Sequence, residues 1–229
     1  ISFTRMFPLP MHDNRMTTEI LTIDKGQCLT DVLPAIPANT IFDKTITGCG
    51  ATHSEIVNAA RHSIIIEPNI PVILGKKAEH PFLFAVYEGI TKEDVKAYLA
   101  GEHDGYRKII TTPEGFDKKV LPAMHELEIP VYKDYFLLFD ECEKAIQDVG
   151  YRGDIYLPVE DFFKFENKAM VSATPIVPSD PRFEENGFKI LKLVPTYDSR
   201  IELTLCTTNN TVAVMRKLLK RLENETVCV

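Results

Sequence analysis

No run of residues in the 229-residue chain approaches the unbroken apolar length that a membrane-spanning helix requires. The five cysteines, at positions 28, 49, 142, 206 and 228, form no CxxC pair. That argues against a zinc site and a disulfide framework and fits a reducing, cytoplasmic setting. The six histidines lack HExxH or similar spacing, so no histidine-based metal site is expected. A basic excess is missing too. The formal net charge is -7, whereas small dedicated nucleic-acid-binding modules are usually basic. An acidic chain can still hold nucleic acid in a local groove. No charged-then-apolar leader follows Ile1, so no signal peptide is expected. The absent start methionine and the apolar run ending at Val229 suggest a trimmed chain. There is no internal repeat and no low-complexity linker.

What is present is ordinary globular composition, 45% hydrophobic and 26% charged. It suffices for one sizeable core and part of a second. Short β-rich apolar runs at 40–45, 63–67, 82–86, 108–111, 135–139 and 168–172 alternate with helical patterns. Helices are expected at 52–61, 91–100 and 113–127. The second has Thr91 and Asp94 at capping-box spacing and Gly101 as a stop. In the third, Phe116, Val120, Met124 and Leu127 share one face. Such alternation predicts an α/β fold, a mainly parallel sheet covered by helices on both faces. Ligands of such sheets bind at the carboxyl ends of the strands. After Pro178 the chain becomes rich in breakers, then Ile201, Leu203 and Leu205 alternate as in a half-buried strand. Residues 211–222 predict a basic amphipathic helix, and the last residues another strand. The expected division is an N-terminal extension (1–39), one α/β domain (40–178), and a linker with the start of a second α/β domain (179–229).

Residues 46–53 read Ile-Thr-Gly-Cys-Gly-Ala-Thr-His, between the first strand and a helix. Gly48 and Gly50 permit backbone angles that let successive N–H groups cradle a phosphate. The helix start would point its positive dipole end at the same spot. Thr47, Gly48, Cys49, Gly50, Ala51 and Thr52 are the candidate cradle, with the Thr52 hydroxyl suited to Mg²⁺. The usual motif is GxGK[ST], and here Ala51 holds the lysine position. Lys44 is the only lysine or arginine between Thr40 and Ala60 and could swing over the phosphates. Two readings stay open at this point: a nucleotide cradle with a relocated lysine, or a tight strand–helix turn with a solvated Lys44. His53 reads as a polar helix-start residue, Cys49 as a small loop filler, and the basic run 216–221 as a solvated helix face.

The run 135–139 delivers Asp140 and Glu141 at a strand end. Nucleotide hydrolysis needs one carboxylate for hydrated Mg²⁺ and another to orient the attacking water. Downstream, Val171-Ser172-Ala173-Thr174-Pro175 is similar to the Ser-Ala-Thr motif of superfamily 2 (DEAD/DEAH-like) helicases, and Asp140-Glu141-Cys142-Glu143 to their motif II. Ile109–Phe116 resembles their Thr-Pro strand-end motif and Ile64–Asn69 their motif Ia, in the correct order over residues 40 to 178. Gln27 lies twenty-one residues before Gly48, near where DEAD-box proteins keep an adenine-reading glutamine. Ala51, in place of the phosphate-loop lysine, and Glu143, where those subfamilies have Asp or His, depart from the pattern.

The resemblance implies a RecA-like P-loop domain that binds ATP and Mg²⁺ and acts on nucleic acid. Thr52 and Asp140 would hold the metal, Glu141 would be catalytic, Ser172 and Thr174 would couple the sites, and Pro68, Thr111 and Thr112 would touch the nucleic-acid backbone. The second domain's arginine fingers are not in this chain, so no complete hydrolysis site is expected from it alone. The function expected is an ATP-dependent helicase or translocase motor. The alternatives are a non-hydrolysing nucleotide-binding scaffold, favoured by Ala51, and a different P-loop enzyme, against which the Ser-Ala-Thr motif argues.

Overall fold

Apolar runs with no polar alternation make stable strands only when both sheet faces are covered. The computed structural model, which describes residues 16–46, 48–142, 159–174, 178, 180–198 and 207–222, has this arrangement. In β3 (His62–Ile66), Ile64 and Ile66 enter one core and Ile65 the other. In β6 (Tyr135–Asp140), Tyr135, Leu137 and Phe139 face the first core, and Phe136 and Leu138 the second. The period-two geometry of a strand divides the residues this way.

With β2 (Thr40–Asp43), β4 (Phe84–Val86), β5 (Lys108–Thr111) and β7 (Asn167–Ser172), these strands occupy the six predicted runs. Two further strands, β1 (Thr18–Ile23) and β8 (Lys189–Pro195), complete an eight-stranded sheet. Its order is β1-β8-β2-β7-β6-β3-β5-β4, and every pair is parallel.

Helices cover both faces. On one, α1 (Leu29–Val32), α2 (Ala51–Val57) and α3 (Ile70–Glu79) bury Leu29, Ala51, Ile56 and Ile73. On the other, α4 (Lys92–Ala100) buries Val95 and Leu99. There α5 (Pro113–Gly115) runs through a π-turn (Phe116–Val120) into α6 (Leu121–Glu126). Beyond it come α7 (Val131–Asp134), α8 (Val159–Lys164) and α9 (Pro181–Glu185). The α4 cap is the reciprocal one the sequence predicts: the Asp94 amide donates to Thr91 Oγ1 (3.2 Å) and the Thr91 amide to Asp94 Oδ2 (2.8 Å). Gly115 sits where α5 meets the sheet. A Cβ there would lie 2.5 Å from Thr111 Oγ1 and 3.2 Å from the Val86 carbonyl.

The helix expected over 52–61 stops at Val57. Arg61 is needed elsewhere: its guanidinium donates to the fully buried Glu55 (2.6 Å), to the Ile36 carbonyl (2.9 Å), and stacks 3.4 Å over Phe136. Glu55 also lies 3.6 Å from the buried Lys108 ammonium. The boundary expected at 178–179 falls within the sheet, because β8 follows it and lies between β1 and β2. Likewise β1 and α1 lie within the stretch expected as an extension. One compact unit runs to Tyr197, and a second begins at Asp198. In the second, α10 (Thr211–Leu222) has its predicted bounds. The strands expected at 201–205 and at the C-terminal end lie outside the described residues. Among the described residues no helix is long and apolar enough to cross a membrane.

Candidate functional site

At the carboxyl end of β2 the chain turns sharply. Asp43 Oδ1 accepts from the Thr45 amide (3.1 Å), and the Thr45 hydroxyl donates to the Leu193 carbonyl of β8. Gly48 and Gly50 have φ of 73° and 89°, left-handed values that cost a residue with a Cβ. The Leu29 amide donates to the Cys49 carbonyl (3.3 Å), fastening the loop to α1. Ala51 is 3% exposed and belongs to the core. Burial pushes the Cys49 thiol up, which suits a packed filler rather than a nucleophile. Thr47 lies outside the described residues.

Two strands away, β6 ends at Asp140, which is 2% exposed. Its Oδ2 accepts from the Thr52 hydroxyl, and its Oδ1 accepts from Lys44 Nζ (3.1 Å) and from the Glu141 amide (2.9 Å). Burial lowers the Lys44 ammonium, but Asp140, with Glu141 beside it, more than reverses this and leaves the pKa raised. The structure thus brings together Lys44, Thr52 and Asp140. The convergence of a hydroxyl and a carboxylate gives hard oxygen donors that suit Mg²⁺. No cluster of three or more His, Cys, Asp or Glu that could hold a metal occurs among the described residues.

Between β2 and β6 lies β7, whose Ser172 is buried. The Ser172 carbonyl accepts from the Lys44 amide (2.9 Å), and its hydroxyl accepts from the amide of the exposed Thr174 (2.9 Å).

Sequence reasoning missed Glu67 and Asn69. Glu67 follows β3 and is 1% exposed; burial, with Asp140 and Glu141 nearby, pushes its pKa up to about 7 against the opposing Asn69 bonds. Asn69 donates to Glu67 Oε1 from its amide and from Nδ2 (2.8 Å each), and Nδ2 also donates to Glu141 Oε2 (2.8 Å). Glu141 takes a left-handed φ of 49° between this bond and its own amide's bond to Asp140. The signal available in the sequence was a glutamate closing an isoleucine run.

Pro68 and Thr112 are half-buried beside these strand ends. Thr112 Oγ1 accepts from the Gly115 amide (3.0 Å) as the α5 cap. Thr111 is fully buried beneath Gly115, so its side chain offers no surface.

A cavity of about 400 Å³ opens beside the loop, lined by Gln27, Gly48, Gly50, His53, Lys76 and Tyr197 among others. His53 is more than a helix-start residue: its Nδ1 lies 3.2 Å from His80 Nε2.

No family model and no curated protein matches the chain. Solved structures do. The DUF1998 helicase MrfA aligns with a TM-score of 0.51 and 14% identity over 82% of this chain and 32% of that one. The chain shares the fold of that structure over this stretch. The helicase domain of Pyrococcus furiosus Hef aligns with a TM-score of 0.42 and 14% identity over 69% of this chain and 35% of that one. The chain therefore spans about a third of the length of each of these two structures. As a RecA-like α/β sheet, it carries the loop after β2 and the acidic pair after β6 on one carboxyl edge.

Proposed function

We propose that this chain is the ATP-binding half of an ATP-dependent nucleic-acid motor of the helicase type. The observation that carries the proposal is the convergence of Lys44, Thr52 and Asp140, from two strand ends and a helix start, with Glu141 adjoining. ATP would lie along Gly48–Thr52, with Thr52 and Asp140 holding Mg²⁺. Bound Mg²⁺ would neutralise charge on the phosphates and fix their geometry. Glu141, aimed by Asn69, would orient the attacking water. Lys44 would leave Asp140 for the terminal phosphate, replacing the charge that Ala51 lacks.

Ser172, hydrogen-bonded to both the Lys44 amide and Thr174, is suited to couple the nucleotide to the exposed surface. A nucleic-acid strand, DNA or RNA, would pass over Pro68 and Thr112 with contacts to its backbone. A cytoplasmic setting belongs to the same proposal and is supported by the free thiols of Cys28 and Cys49.

One observation favours a second reading. Ala51 is buried in the core and supplies no charge, as expected of a helicase-like scaffold that does not hydrolyse ATP. Titration of ATP·Mg²⁺ against wild type, Lys44→Ala and Ala51→Lys separates the two. The motor reading expects wild type to bind and Lys44→Ala to lose most affinity, with ATPase activity of the complete gene product stimulated by single strands. Binding by Ala51→Lys alone, or a neutral Lys44→Ala, selects the scaffold.

A further inference from the structure

The cavity beside the glycine loop is not the place where Lys44 works. Gly48, Cys49 and Gly50 line it, but Lys44, Thr52 and Asp140 do not. The Lys44 ammonium is held on the Asp140 carboxylate, with the side chain 13% exposed. For a nucleotide whose base and sugar occupy the cavity, Lys44 is left to the terminal phosphate, the role proposed for it above. The phosphates nearer the sugar would face a different set of side chains.

That set comes from α2, α3 and the turn after α3. His53 and Lys76 both line the cavity. The His53–His80 hydrogen bond at Nδ1 orients the His53 ring and leaves its Nε2 without a hydrogen bond among the described residues. Lys76 Nζ donates to Glu79 Oε2 (2.8 Å), one turn along the same helix. Glu79 is largely exposed, and an exposed pair of this kind holds its lysine weakly. His80 Nε2 lies 4.0 Å from the same Glu79 oxygen, so one carboxylate answers two nearby basic side chains. A phosphate in the cavity offers Lys76 a more highly charged acceptor than Glu79 does.

We propose that Lys76 of α3 and His53 of α2 grip the sugar-proximal phosphates of a bound nucleoside diphosphate or triphosphate. The inference rests on the nucleotide-binding reading above and divides its charge requirement in two. Lys76 and His53 serve the phosphates common to ADP and ATP, and Lys44 serves the terminal phosphate that only ATP has.

Calorimetric titration of adenosine, ADP and ATP, with Mg²⁺, against wild type and four variants tests this division. Lys76→Ala and His53→Ala should each weaken ADP and ATP about tenfold, the loss of one charge-assisted contact, and leave adenosine unchanged. Glu79→Gln should tighten ADP by freeing Lys76. Lys44→Ala should weaken ATP and spare ADP. All four positions are partly or wholly exposed, and thermal melts identify any variant that fails to fold. If ADP binding survives both Lys76→Ala and His53→Ala, the inference is overturned and nucleotide binding stands. Equal losses for adenosine and ADP also overturn it, because they mean a damaged cavity rather than a lost phosphate contact. If wild type binds none of the three ligands, both readings fall.

Discussion

Glu67 is a buried acid whose protonation should be visible in the stability of the whole domain. In the fold its pKa is pushed from 4.5 to about 7, so folding favours the protonated form. The stability that comes with protonation is complete below pH 4.5 and is lost as pH rises through about 7. At about 1.4 kcal/mol per pH unit, this gap sets an upper bound of about 3 kcal/mol on the loss. Glu67→Gln keeps an oxygen to accept from Asn69 but cannot ionise. The variant should therefore come within about 1 kcal/mol of wild type at pH 5 and exceed its stability by up to about 3 kcal/mol at pH 8. Urea unfolding of both proteins at pH 5, 6, 7 and 8 measures the difference, and other titrating groups cancel between them. A difference that stays constant across this range would refute the argument, since it would mean that Glu67 is ionised in the fold throughout. Binding of Mg²⁺ beside Asp140 should shrink the difference, because a cation there favours the charged carboxylate.

Other outcomes follow from the same geometry. Glu55→Ala leaves Lys108 and Arg61 without their buried counter-charge and should cost about 3–5 kcal/mol in a denaturant melt; a cost below about 1 kcal/mol would show that water reaches the cluster. Gly115→Ala drives a methyl group into Thr111 Oγ1 and should destabilise by about 1–3 kcal/mol; an unchanged melting temperature would show that α5 slides freely. Thr112→Glu puts a negative charge beside the proposed strand path. It should weaken single-strand binding by the complete gene product, and that binding should itself fall with added salt; unchanged affinity would move the path elsewhere.

The six strands β2 to β7, five of the interior and the β4 edge, were legible because each is a largely apolar run. β1 and β8 were not. Residues Thr18–Ile20 are exposed and Lys192 faces solvent, so their hydrophobic signal is broken, and part of their pairing is ionic, through Glu19 and Lys189. The meeting of Thr52 with Asp140 was legible because each follows a strand end in a parallel sheet. The link from Glu67 through Asn69 to Glu141 was not, because it needs β3 and β6 to be neighbours with Ile66 beside Phe139. Spacing in sequence carries no trace of that register. The His53–His80 contact is of the same kind, joining a helix start to a turn that only the packing of α3 brings near.

The position of β1 also has a consequence for synthesis. Its partner among the described strands is β8, with Thr18 beside Ile190. At about 5–20 residues per second, a ribosome needs on the order of ten seconds to make the intervening chain. For that time the segment with Ile20, Leu21 and Ile23 has no docking edge, although β2 to β7 can already assemble. Until β8 has emerged, a nascent chain of this protein therefore carries an almost finished sheet and one sticky, unsatisfied strand, β1. That strand is a natural client for a ribosome-associated chaperone, and the point at which pairing with another copy is most favoured.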